Sequence, residues 1–139
     1  MPLKLATTIG KIQNIPNSKN IEIVNEFLEY MRNNGSSEHH QNNNLKVVIA
    51  FSNFIGKDKS FYDIIKKEQI LEFLNTKVKH YDIDPDKRWI TTWNNYLNRL
   101  RLFFADSQAG HREIRLLFRY RILPLVSLKT TCYIFFCVK

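Results

Sequence analysis

The stretch Lys87–Phe104, KRWITTWNNYLNRLRLFF, limits what this chain can become more than any other. Wound as a helix at 100° per residue, it puts Trp89, Ile90, Trp93, Tyr96, Leu97, Leu100, Phe103 and Phe104 on one side. That stripe has to be covered by other elements. The opposite side carries Lys87, Arg88, Thr91, Thr92, Asn94, Asn95, Asn98, Arg99 and Arg101, and no Asp or Glu occurs from Lys87 to Ala105. A merely solvated helix face usually mixes both charge signs. This one offers cations and short hydrogen-bonding side chains, the groups that meet phosphate oxygens and base edges. The plain alternative is a packing helix whose far side happens to lack acids. The joint pattern of aromatic anchor, paired basics and Thr/Asn filler favours a helix that faces nucleic acid.

The rest of the composition agrees. At 139 residues the chain has room for one domain with a modest core, and it is 44% hydrophobic and 13% aromatic. A net charge of +8 favours a polyanionic partner, nucleic acid or an anionic membrane surface. Two cysteines, Cys132 and Cys137, are too few for a disulfide framework, so a reducing, cytoplasmic setting is expected. The N-terminal MPLKLATTIGKIQ lacks the apolar core and cleavage site of a signal peptide. Ile122–Val138 is apolar but interrupted by Pro124, Ser127, Lys129, Thr130 and Thr131, short of the about 20 apolar residues of a span. A membrane is therefore not the expected partner, and a weak interfacial anchor is the most this tail would supply.

Along the chain, residues 1–16 read as an arm ended by Pro16. Asn17 and Ser18 are N-cap candidates for a helix whose stripe is Val24, Phe27, Leu28 and Met31, with Glu22, Glu26 and Glu29 opposite and Gly35 at its C-terminal end. Its acidic exterior keeps it away from DNA. Ser36–Asn44, SSEHHQNNN, reads as a polar linker. Leu45–Ile55 is apolar nearly all round; β-branching pulls toward strand, while its length and Gly56 favour a central helix. Ser60–Asp63 fits a capping pattern, and a helix is expected over Lys67–Lys79. The loop Asp82–Lys87 leads into the basic helix. The fold class is all-α, a small bundle of about four helices over 17–104. From 105 to 139 the character changes to a divergent, poorly defined tail. There Arg112–Leu123 is a candidate helix rich in arginine, and TTCYIFFCVK looks strand-like.

Other chemistries fit poorly. Asp82, Asp84 and Asp86 alternate like calcium ligands, but the position that needs Gly is Lys87 and the one that needs Glu is Trp93. These acids are better placed near the N-terminus of the following helix, whose dipole favours them. The Cys132–Cys137 pair fits only the loosest zinc spacing, with no second pair at a defined distance, and His39–His40 are adjacent in a polar linker, so no metal is expected. No phosphate loop, nucleophile elbow or H-E-x-x-H occurs, so neither an enzyme nor a cofactor or small-molecule substrate is expected.

Two stretches carry a family resemblance. Lys67–Asn75, KEQILEFLN, is similar to the third helix of the core-binding domain of tyrosine recombinases, the phage-integrase family, especially its archaeal members. Thr92–Phe104 is similar to the fourth helix, with Thr92, Leu97, Leu100, Arg101, Phe103 and Phe104 at the family's pattern positions. The resemblance spans roughly residues 16–104. It implies a SAM-like bundle of four or so helices that clamps a DNA recombination and integration site, chiefly through backbone contacts. In full-length relatives a larger C-terminal domain supplies catalytic arginines, a lysine, an H-x-x-R pair and a tyrosine that forms a 3′-phosphotyrosine. This chain departs from that pattern after Phe104. His111 is followed three places on by Ile114, and no tyrosine lies in a nucleophile context. The departure implies a relative truncated before the catalytic domain, with a tail from a shifted reading frame or a rearranged gene end.

The expectation is thus a non-catalytic module that binds duplex DNA, with a full-length recombinase as a second partner. Lys87, Arg88, Arg99 and Arg101 would neutralise phosphates; Thr91, Thr92, Asn94, Asn95 and Asn98 would hydrogen-bond backbone or base edges, Asn being suited to adenine. Arg101 borders the apolar stripe and is partly structural by its angle. Four neutralised phosphates would give a log–log salt slope of about −3.6. A different class of function uses the aromatic stripe and apolar tail to hold a protein partner or bilayer. A third alternative is an inert recombinase remnant.

Overall fold

The computed structural model describes residues 2–107 and 109–119. Arg121, Ile122–Val138, the TTCYIFFCVK segment and the Cys132–Cys137 pair lie outside the described residues. Those described form helices and no strand: α1 (Pro2–Ile12), α2 (Ser18–Asn33), α3 (Glu38–Ile55), α4 (Lys67–Asn75), α5 (Trp89–Arg101) and α6 (Arg112–Arg119). A single 3-10 turn, Phe61–Asp63, precedes α4, and a π-helical turn, Leu102–Asp106, continues α5.

The all-α expectation holds at that level: six α-helices are described, four of them within 17–104, with α1 before and α6 after. The N-terminal arm is the first correction. α1 packs along α3 and buries Leu5, Thr8 and Ile12, spaced as one helical face. The Thr8 hydroxyl donates to Asn42 Oδ1 of α3 at 2.6 Å. Ile9 packs against the core as well, so Leu5, Ile9 and Ile12 form an i, i+4, i+7 stripe that the spacing already carried, with Thr8 as its one polar member. The Ser36–Asn44 linker is the second correction. Ser37 accepts from the His40 backbone N–H and starts α3 there, leaving only a tight connection after α2. Gln41, Asn42 and Asn44 are buried on this first part of α3, each with a hydrogen-bond partner. Polar side chains satisfied by specific partners look like a linker to any hydropathy argument.

The local signals elsewhere act as their chemistry predicts. Asn17 caps α2 through the Lys19 N–H at 2.9 Å. At its other end Gly35 takes φ +70°, and Gly35 and Ser36 return their N–H groups to the carbonyls of Arg32 and Met31. That pair of bonds is a Schellman close, which needs the left-handed conformation glycine adopts without strain. Ser60 and Asp63 do form a capping pair, with the Asp63 carboxylate on the Ser60 N–H at 2.8 Å, but around the 3-10 turn. α4 starts at Lys67, where the Gln69 Oε1 accepts from the Ile65 and Lys66 N–H groups, and stops at Asn75, short of Lys79. There the Thr76 hydroxyl takes the Phe73 carbonyl.

A phenylalanine cluster holds the centre. Phe27, Phe51, Phe61, Phe103 and Phe104 are each essentially fully buried and come from four different parts of the chain. Phe61 and Phe103 meet edge to face at 4.7 Å, Phe27 and Phe103 at 5.0 Å, and Phe103 and Phe104 at 4.9 Å. Such pairs contribute about 0.5–1.5 kcal/mol each beyond area burial. The segment from 105 onward is the third correction, as far as it is described. Ile114 and Phe118 of α6 are buried in the same core, and Phe118 stacks on Phe104.

Candidate nucleic-acid interface

α5 begins with its apolar stripe at Trp89, two residues later than the stretch wound from Lys87. Lys87 adopts φ +52°, the left-handed region, so it and Arg88 precede the helix. The buried carboxylate of Asp84 accepts the Trp89 N–H at 2.9 Å. This is the role expected of an acid at a helix N-terminus, where unpaired N–H groups and the dipole both favour it. Of the other two aspartates of the loop, Asp82 lies 3.1 Å from the His80 ring and Asp86 3.5 Å from the Arg88 guanidinium.

The stripe packs inward as expected. Trp89, Ile90, Trp93, Leu97 and Leu100 are buried against α3 and α4, and Phe103 and Phe104 follow through the π turn. Tyr96 is only half-buried, stacked on Phe73 with the Lys77 ammonium 4.8 Å from its ring centre. This burial removes the stripe as a free surface for a partner or bilayer. Only the tail part of that alternative is left, and most of it lies outside the described residues.

The outward side divides into two groups. Arg88, Thr91, Thr92, Asn95 and Asn98 are exposed, Arg88 to 84% of its side chain. Lys87, Asn94, Arg99 and Arg101 are half-buried. The Arg99 guanidinium donates to Asn44 Oδ1 of α3 at 3.1 Å and so braces α5 on α3. Nothing in the spacing of α5 announces this, because the partner lies in the stretch that reads as a linker. Arg101 is partly structural, as its angle implies. Its Nε is buried with no hydrogen-bond partner among the described residues, while Nη1 reaches Asn98 Oδ1 at 3.5 Å.

α5 therefore presents a ridge of neutral hydrogen-bonding side chains with one outward cation at its head. Two sources of positive charge flank it that spacing along α5 does not reveal. One is Lys77, held over Tyr96 and Phe73 by cation–π contact. The other is α6, where Arg112, Arg115 and Arg119 fall at i, i+3 and i+7 and share one face. That spacing was available in the sequence, but without the anchor on Phe104 it had no place in space. Among the described residues no group of three or more His, Cys, Asp or Glu gathers as a metal site, and no helix is long and apolar enough to cross a membrane. No protein-family model, curated protein or solved structure matches the chain.

Proposed function

We propose that this chain is a non-catalytic DNA-binding module, of the kind implied by its resemblance to the core-binding domain of tyrosine recombinases. One observation carries the reading. The exposed ridge of α5, Thr91, Thr92, Asn95 and Asn98 with Arg88 at its head, lies on a helix that bears no acid over 13 residues. Hydroxyl and carboxamide groups on a helix of this width suit the major groove, where a carboxamide can pair with adenine and a hydroxyl with phosphate oxygens. A neutral ridge gives register and hydrogen bonding. The electrostatic share of affinity then comes from cations beside it.

Arg99 is engaged with Asn44, so the phosphate contacts of the α5 entrance reduce to the exposed Arg88 and the half-buried Lys87. Two contacts correspond to a salt slope of about −1.8. The test is a duplex titration of the full chain at several salt concentrations, repeated with Thr92→Ala/Asn95→Ala/Asn98→Ala. Salt-sensitive binding that the triple substitution weakens at every salt, with its slope unchanged, supports the reading. Binding absent, or equally strong in the variant, removes the ridge from the interface.

A further inference from the structure

The described part of the segment after Phe104 builds something that the proposed function has not used. Between the end of α5, the π turn and α6 lies an open pocket of about 730 Å³ lined by Arg101, Arg112, Arg115 and Arg119, with Asp106 its one acid. We infer that this pocket is a phosphate-binding site, and, resting on the DNA reading above, that its occupant on a duplex is a backbone phosphate.

The anchoring comes first. Ile114 and Phe118 are buried in the core, which turns the opposite face of α6, with Arg112, Arg115 and Arg119, outward. Arg101 enters from another element. Its Nε is buried without a hydrogen-bond partner among the described residues, and Nη1 donates to Asn98. The four arginines thus line one pocket because the two elements that carry them are joined by the Phe104–Phe118 stack.

The charge follows from that geometry. Among the described residues none of the four arginines forms an ion pair. Four guanidiniums facing one carboxylate repel one another, at a cost that falls when an anion enters between them. Guanidinium is also the side chain whose planar fork matches phosphate oxygens two at a time. A volume of this size, open to solvent, admits a phosphodiester with its sugars outside.

The position fits the neighbouring ridge. Arg88 and Arg101 bound α5, thirteen residues apart, which is about 20 Å along a helix axis. A duplex covers that distance in about six base pairs at 3.4 Å each. The ridge between them would lie in the groove while the two ends hold the backbone. The Arg101–Asn98 hydrogen bond joins the pocket directly to the last polar residue of the ridge.

The experiment uses the full chain and the double variant Arg112→Gln/Arg119→Gln. Both positions are exposed, so folding should survive, and a thermal melt checks that it does. Probes are a mixed-sequence duplex over a range of salt, and inorganic phosphate and pyrophosphate. The expected result is duplex affinity about tenfold weaker near 0.1 M salt, with a slope shallower by about 0.9, the loss of one phosphate contact. If the wild type ignores duplex but binds pyrophosphate, and the double variant does not, the pocket stands as a site for free phosphates while the DNA reading falls. If the variant matches the wild type on duplex and on pyrophosphate while the α5 triple variant loses duplex, the DNA reading stands and the pocket proposal is overturned. If neither probe binds the wild type, both fall.

Discussion

Phe104 and Phe118 stack with ring centres 5.8 Å apart and planes within 8° of parallel. The pair bridges the point where the sequence changes character. Its two rings, one ending the basic helix and one in the arginine-rich segment, are both buried in the single core. Whatever the origin of the segment after Phe104, its described part contributes apolar surface to the domain that precedes it.

Gly110 shows how close that docking is. A Cβ built on Gly110 would overlap the Phe104 ring, which itself packs against Phe51, Phe61 and Phe103 and cannot yield easily. Gly110→Ala should therefore lower stability by about 1–3 kcal/mol, the cost of forcing extra volume into a packed core. Urea unfolding should show an earlier midpoint at an unchanged slope. A midpoint equal to wild type would mean that residues 109–119 are not docked on Phe104 in solution.

Ending the chain at residue 104 should be costly for the same reason. The cut removes Ile114 and Phe118 and uncovers Phe104, so the loss should be on the scale of a large core truncation, several kcal/mol. The sequence taken by itself suggests the opposite, a self-sufficient domain over 17–104 with a dispensable tail. Calorimetry of the two lengths decides between them: equal melting temperatures would restore the boundary at 104.

Asn20 is a second point at which one side chain holds two segments. Wholly buried on α2, it accepts from the Phe61 N–H at 2.9 Å and donates to the Lys59 carbonyl at 3.2 Å. Asn20→Ala leaves a buried N–H unpaired beneath the phenylalanine cluster, which costs about 1–3 kcal/mol. Faster amide exchange at Phe61 should accompany the loss. Protection at Phe61 unchanged in the variant would show that the N–H finds another partner.

How much of this was legible depended on where each partner sits. The aromatic stripe of α5, the Asn17 cap and the Gly35 close are local patterns that can be read from spacing, and the central helix at Leu45–Ile55 from its length and Gly56. α1 belongs with them, since Leu5, Ile9 and Ile12 keep a helical period. The start of α3 is different: Asn42 meets Thr8, and the buried Gln41 and Asn44 have Ser36 and Arg99 as partners. Pairings between distant polar residues leave no period in the sequence. The candidate interface divides along the same line. Thr91, Thr92, Asn95 and Asn98 are exposed where the helical wheel puts them, whereas the use of Arg99 and the convergence of Arg101 with α6 depend on packing that no local pattern encodes.

Asp84 offers a test of the α5 entrance. Its carboxylate is a buried cap on the Trp89 N–H, and Lys87 is held in a left-handed turn beside it. Asp84→Ala should cost about 1 kcal/mol, within the 0.5–2 kcal/mol range of lost helix caps. It should also loosen Lys87 and Arg88 and so weaken duplex binding more than that stability loss alone accounts for. Unaltered stability and affinity together would mean that the turn is held by other contacts.

The sharpest separation between sequence and structure concerns Arg88 and Arg99. Both lie on the outward side of the helical wheel, and the wheel assigns both to phosphates. The structure gives Arg88 to solvent, near Asp86, and Arg99 to the buried Asn44 carboxamide. Arg88→Glu should thus leave the melting temperature within about 1 °C, since exposed substitutions stay within about 0.5 kcal/mol, while duplex affinity falls. Arg99→Glu should act the other way round. It sets a carboxylate against the carbonyl oxygen of Asn44, strips that oxygen of its donor and weakens the α3–α5 contact, at a cost of about 1–3 kcal/mol. Thermal melts and duplex titrations of the two variants side by side check this. If Arg99→Glu melts like the wild type yet loses duplex binding, Arg99 leaves Asn44 for a phosphate in the complex, and the helical wheel was the better guide.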